Sequence, residues 1–140
     1  MVRKLKPFAY YFPELRLLPR FHIGLVTSKE DFTKELKRLG NPQNAVWDEQ
    51  ADAFCLWLTC KGKDLVLVCT DRETFIKKPV CVGSSLIAHE FLHVFDKLNK
   101  TFGSNIYDHT NIYLFQMLVQ DSLEILYDPE FVYGRTALVG

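Results

Sequence analysis

The sequence predicts an α+β domain. A short, mostly antiparallel sheet packs against a helix that carries His-Glu-x-x-His and against a long helix after it. Three observations point there. Ala53 to Thr70 reads as two β-rich apolar runs around a polar turn, which is a hairpin. Two later stretches, from Ser84 to Asn99 and from Asp108 to Leu126, repeat apolar residues at helical spacing. The composition, 48% hydrophobic and 14% aromatic over 140 residues, is rich enough to fill one core. Residues 1–140 are therefore expected to form a single domain, with 1–20 as an irregular N-terminal arm.

That arm contains Pro7, Pro13 and Pro19, which break regular structure, and its aromatics Phe8, Tyr10, Tyr11 and Phe12 are expected to pack on the domain. Phe21 to Thr27 is a strand. Ser28 is a good N-cap, with Asp31 three residues on as the acidic partner of a capping box. Phe32, Leu36 and Leu39 keep helical spacing up to Gly40, a natural stop. Asn41 to Asn44 is a loop. The hairpin follows: Ala53 to Cys60, a turn over Lys61-Gly62-Lys63-Asp64, then Leu65 to Thr70. Its strands are apolar on both faces, so helices are expected to cover the sheet on at least one side. Asp71 to Val82 is a connection, ended by Pro79 and Gly83. Ser84 or Ser85 caps the next helix, whose contacts are Leu86, Phe91, Val94, Phe95 and Leu98. It ends near Asn99, before a loop over Thr101 to Tyr107 that includes Gly103. In the last helix Ile112, Phe115, Val119 and Leu123 mark the buried stripe, and Asp128-Pro129 ends it. The segment FVYGRTALVG after it is irregular or a short edge strand.

Charge narrows the function. Lys+Arg and Asp+Glu are 17 each, so the formal net charge is zero, whereas a nucleic-acid protein usually carries a basic excess. No apolar run is long enough to cross a membrane, and the basic, aromatic first twenty residues make a poor signal peptide. The four cysteines, Cys55, Cys60, Cys69 and Cys81, form no CxxC pair. They read as reduced, buried thiols of a cytoplasmic protein.

His89-Glu90-Phe91-Leu92-His93 carries the chemistry. Residues four apart on a helix are neighbours, so both imidazoles leave one face about one turn apart. Two nitrogens so placed can meet one Zn²⁺ at about 2.0–2.1 Å each. Glu90, one residue on, is angled to the side of the metal. It can accept a proton from water that the zinc has acidified, and so act as general base for attack on a polarised carbonyl. A catalytic zinc wants a third protein ligand. The candidates downstream are Asp96, Asp108, His109, Asp121 and Glu124. His109 opens the next helix and is a preferred ligand type; Glu124 fits a glutamate ligand on a following helix. The two stand about 22 Å apart along one helix, so they cannot both serve. Asp96, three residues beyond His93, reads as a partner for a histidine N–H. Ser84 and Ser85 read as caps, because no strand-turn-helix nucleophile elbow surrounds them, and His22 reads as an ordinary strand histidine.

A hairpin, then HExxH on a helix, then a second helix resembles the minimal zincin-like metallopeptidases. These include the ImmA/IrrE type and the small peptidases carried by bacteriophages. The likeness is closest over Ser84 to Leu126. HEFLHVFDKLNKTFG resembles the phage versions, which continue from HExxH with an Asp three residues on and a Gly after the helix. DHTNIYLFQMLVQDSLEIL resembles their second helix, in which an acidic residue precedes Ala-Tyr-Leu-x-Gln; here Ile112 to Gln116 falls on that stretch and His109 on the acidic position. The resemblance implies a Zn²⁺-dependent peptidase with His89, His93 and His109 as ligands, a three-histidine set where the family has a carboxylate. It also implies Glu90 as base. Tyr113, on the same helix face as His109, reads either as a core residue or as a donor to the developing oxyanion. A peptide substrate would be held as an added strand, against Leu65 to Thr70 or the segment just before the helix. The other implied role is a non-catalytic protein on the same scaffold, with a structural or vestigial metal, that binds another protein such as a host factor.

Overall fold

A computed structural model describes residues 8–12, 21–41, 43–102 and 109–128, the side chains of 102 and 109–111 excepted. The expectations for 1–7, 13–20, 103–108 and 129–140 lie outside the described residues. These include the three prolines of the arm, the loop with Gly103, Asp108 and the segment after Asp128.

The described chain is a small α+β domain. Strand β1 is Tyr10–Tyr11 and β2 is Phe21–Val26. Helix α1, Lys29–Arg38, precedes β3, Ala53–Cys60, and β4, Lys63–Thr70. Helices α2, Arg72–Phe75, α3, Val80–Phe102, and α4, His109–Tyr127, complete it. The four strands lie in the order β1-β2-β4-β3. The sheet is mixed, and most of its pairings are antiparallel as expected: β1–β2 and β3–β4 are antiparallel, while β2 and β4 are parallel, from Phe21↔Asp64 to Val26↔Cys69. The cause is the connection after β2. Helix α1 returns the chain along one face, and 43–52 carries it back without regular structure. The hairpin can then insert β4 beside β2 and leave β3 outside.

Strand alternation assigns the two faces. Phe21, Ile23 and Leu25 of β2, with Val66 and Val68 of β4, enter one core with Ile87, Phe91, Val94, Phe95 and Leu98 of α3 and Leu118, Ile125 and Leu126 of α4. Val26, Leu65, Leu67 and Cys69 face the other way, onto Phe32 and Leu36 of α1. Helices thus cover both faces, as the doubly apolar strands require.

Local signals set most boundaries. The Ser28 hydroxyl accepts from Asp31 N–H at 3.0 Å and starts α1. Gly40, at φ 85°, follows its last turn. The hairpin closes over two residues, Lys61 and Gly62, both at positive φ. This is the turn that matches strand twist, so Lys63 and Asp64 belong to β4 and not to the turn. The arm is not wholly irregular either. Tyr10–Tyr11 pairs with β2, and Phe12 is buried with its ring 6.2 Å from Phe91.

The stretch before α3 differs most from expectation. Asp71 caps a single turn, α2, through Thr74 N–H. Helix α3 then begins at Val80, where the Pro79 carbonyl accepts from Gly83 N–H at 3.0 Å. Ser84 and Ser85 are therefore inside the helix and cap nothing. Gly83 does not end the connection; it makes room. A Cβ there would stand 2.8 Å from the Phe75 ring and 2.8 Å from the Tyr127 hydroxyl. Gly83→Ala gains up to about 1 kcal/mol of helix propensity but overpacks against the buried Phe75, which costs about 1–3 kcal/mol. The expected net is a loss of about 1 kcal/mol in urea unfolding; a gain in stability would show that Phe75 and Tyr127 yield freely.

In α4 the fully buried row is Leu118, Ser122, Ile125 and Leu126, with Asp121 beside it. Phe115, Val119 and Leu123, expected as the buried stripe, are only half-buried against that core, and Ile112 is exposed. Leu118 and Ile125 are seven apart and share a face, so the burial axis is rotated from the one the sequence suggested.

Candidate metal centre

The His89 and His93 side chains leave α3 on its exposed side, with their Nε2 atoms 3.0 Å apart and their rings nearly perpendicular at 86°. Two nitrogens on a tetrahedral zinc at ~2.0–2.1 Å stand roughly 3.3 Å apart. The pair needs to open by only a few tenths of an ångström to fit. Both rings reach solvent, so a metal has an entry path.

Glu90 points elsewhere. It is 7% exposed, and its Oε1 lies 3.3 Å from Cys55 Sγ of β3, while its own main-chain oxygen lies 3.4 Å from the same sulfur. Two turns on, the Lys97 ammonium sits 4.9 Å over the Trp57 ring, again of β3. The edge strand β3 therefore runs beside this part of α3. At about 100° per residue, His93 stands about 60° and His89 about 100° around the helix from Glu90. Both lie on the flank that faces away from the core row of Ile87, Phe91, Val94 and Leu98. The order across the site is thus core, then Glu90 against β3, then the histidine pair in the open beyond it.

Burial first, and then the Glu90 carboxylate, push the Cys55 thiol well above the ordinary cysteine range. It stays protonated and can donate S–H to the carboxylate. The sequence reads all four cysteines as buried thiols, but only Cys69 is; Cys55 and Cys60 are half-buried and Cys81 is exposed. Strand alternation puts Cys55 and Trp57 on one face of β3, but nothing in the sequence says that the face meets Glu90.

The other expected site residues fall as follows. His109 is the first residue of α4, and its side chain lies outside the described residues. Tyr113 is 59% exposed. It stands about 200° around α4 from Phe115, which meets Phe95 of α3 at 5.9 Å. Phe95 in turn stands about 200° from His93 and 120° from His89, so the described part of α4 flanks the side of α3 away from the pair. Glu124 lies on an outer groove of α4, with Ile112, Val119 and Leu123. Among the described residues no third His, Cys, Asp or Glu joins the two histidines. Asp96, expected to hold a histidine, instead pairs with Lys100 at 3.0 Å, one turn on in α3.

The peptide edge needs correction as well. Leu65 to Thr70 is in β4, which has β2 on one side and β3 on the other, so it has no free edge. The segment just before α3 holds the helical turn α2. Among the described residues the edge beside α3 is β3. Beside His89, a groove of about 460 Å³ continues along α3, lined by Cys81, Val82, Ser85 and Leu86. Among the described residues no helix is long and apolar enough to cross a membrane. Compared with protein-family models, curated proteins and solved structures, the chain gives no match.

Proposed function

We propose that the chain is a zincin-like, zinc-dependent metallopeptidase, with His89, His93 and His109 as ligands and Glu90 as general base. The observation that carries this reading is the histidine pair: two accessible Nε2 atoms 3.0 Å apart, next to an acidic residue on the neighbouring helix position. Zinc, when bound, acidifies water and polarises a carbonyl. The chain supplies the rest. The two imidazoles fix the reacting centre on the outer flank of α3. Glu90 accepts the proton of the attacking water at the carboxylate oxygen that Cys55 leaves free, and delivers it to the departing amine. The edge of β3 offers main-chain groups along which an extended peptide can pair. The four described thiols are free, which suits a reducing, cytoplasmic compartment.

A second reading is a zincin-fold protein that binds another protein and holds its metal without catalysis. It is favoured by one observation, that the described part of α4 lies across α3 from the histidine pair. Zinc content decides between them when measured on the wild type beside His89→Ala and His109→Ala. The peptidase reading expects about one zinc per chain, lost in His89→Ala and weakened at least tenfold in His109→Ala, with a hydroxamate chelator bound by the wild type. Zinc that is indifferent to His109, with no hydroxamate binding, supports the binding protein. A wild type that takes up no zinc removes the metal from both readings.

A further inference from the structure

We infer that Cys55, on strand β3, is a positioning residue for the Glu90 carboxylate, and that its thiol fixes which carboxylate oxygen is left to do chemistry. This rests on the reading of Glu90 as general base. A carboxylate that is nine-tenths buried is costly unless it is hydrogen-bonded, and Glu90 is 7% exposed. The polar contact it makes is unusual. A thiol is a weak donor, yet Cys55 Sγ lies 3.3 Å from Oε1 and 3.4 Å from the Glu90 main-chain oxygen. One sulfur therefore lies against both the side chain and the backbone of the same residue, and its single S–H can orient the carboxylate relative to α3.

The chemical type of the partner matters. A neutral thiol orients the group without placing an opposite charge beside it. Burial and the neighbouring carboxylate both keep that thiol protonated, so it remains a donor. Position matters too. Cys55 belongs to the same strand whose outer edge is free among the described residues. The residue that holds Glu90 thus also belongs to the backbone along which a substrate would pair. A peptide laid on β3 and the base that serves it are set by one rigid element, which is what a productive geometry requires.

The test compares zinc-loaded wild type, Cys55→Ala, Cys55→Ser and Glu90→Gln, with fluorescein-labelled casein and a mixed-sequence quenched peptide pool as probes. Zinc per chain is measured on every variant. Loss of a residue that orients a functional group typically costs 10–100-fold. The expected result is a kcat about tenfold lower in Cys55→Ala, with KM within about twofold and zinc unchanged. Cys55→Ser, which keeps a hydrogen-bond donor, restores the rate to within about threefold of wild type. A merely structural cysteine would give the opposite order, because buried Ser is the less well tolerated of the two. A second readout needs no turnover: iodoacetamide alkylation of Cys55, followed by peptide mass spectrometry, should quicken several-fold in Glu90→Gln. If Glu90→Gln is inactive while Cys55→Ala keeps wild-type kcat, or if Cys55 alkylates at the same rate in both, the positioning role is overturned and the peptidase reading stands. If zinc-loaded wild type cleaves neither probe, or Glu90→Gln cleaves as fast as wild type, the peptidase reading fails and takes this inference with it.

Discussion

Glu90→Gln is expected to lower turnover by about 10²–10⁴-fold, the usual range for loss of a general base, while the protein keeps its zinc and its fold. The substitution is nearly isosteric, so the tight space between α3 and β3 is preserved. The amide oxygen can still accept from Cys55, so the contact at 3.3 Å survives. What disappears is the oxygen that can take a proton from water. The histidines, on the outer flank of α3, do not touch the altered atoms. Zinc analysis beside peptide hydrolysis checks this directly. A wild-type rate would remove Glu90 from the mechanism. A parallel loss of zinc and rate would assign it to support of the metal site instead.

Glu35→Ala is expected to cost about 3 kcal/mol of stability. Glu35 is fully buried at 0% exposure on α1. Its carboxylate accepts from Arg38 Nε at 2.7 Å and from the other side of the guanidinium at 2.6 Å, a two-point pair within one helix turn. It also accepts from Phe8 N–H at 3.0 Å and from the Tyr11 hydroxyl. Removing one partner of a buried ion pair typically costs about 3–5 kcal/mol, because the other is left uncompensated. The lower end applies here, since the Arg38 side chain is 25% exposed and retains some solvation. An arginine stays charged and a tyrosine stays neutral near pH 7, so neither partner can relieve the loss by titrating. The damage should concentrate at residues 8–12, which Glu35 ties to α1. Urea unfolding gives the magnitude, and hydrogen exchange at Tyr10 and Tyr11 gives the place. A change under 0.5 kcal/mol would mean that the network is replaced by water at no cost.

The histidine pair was legible in the sequence because it depends only on helical spacing. So were the Ser28 cap, the hairpin and, apart from the short strand β1 and the single turn α2, the order strand, helix, hairpin, helix, helix. What failed depends on contacts between distant residues. Gly83 looks like punctuation because glycine disfavours helices; inside α3 it answers to Phe75 and Tyr127, which no local window contains. Cys55 and Glu90 are 35 positions apart, and their meeting follows from how α3 lies on the sheet. Asp96, expected to meet a histidine, pairs instead with Lys100 one turn away. The stripe on α4 was misplaced because several of its faces carry apolar residues, and only packing against α3 chooses among them. The parallel pairing of β2 and β4 was hidden for a similar reason: strand composition does not record direction.

That pairing also sets how the sheet can assemble. Strands β3 and β4 are joined by Lys61-Gly62 alone, and Cys60 pairs with Lys63, so bringing them together closes a very small loop. Phe21 meets Asp64, 43 positions later by residue number, and the entropy of closing that much chain is charged to a parallel contact that is somewhat weaker per residue. Chain entropy therefore divides the sheet into a cheap half and an expensive half. The strand that holds Glu90 belongs to the cheap half, encoded by its own neighbours, while β2, which completes the floor under α3, must be recruited from far along the chain.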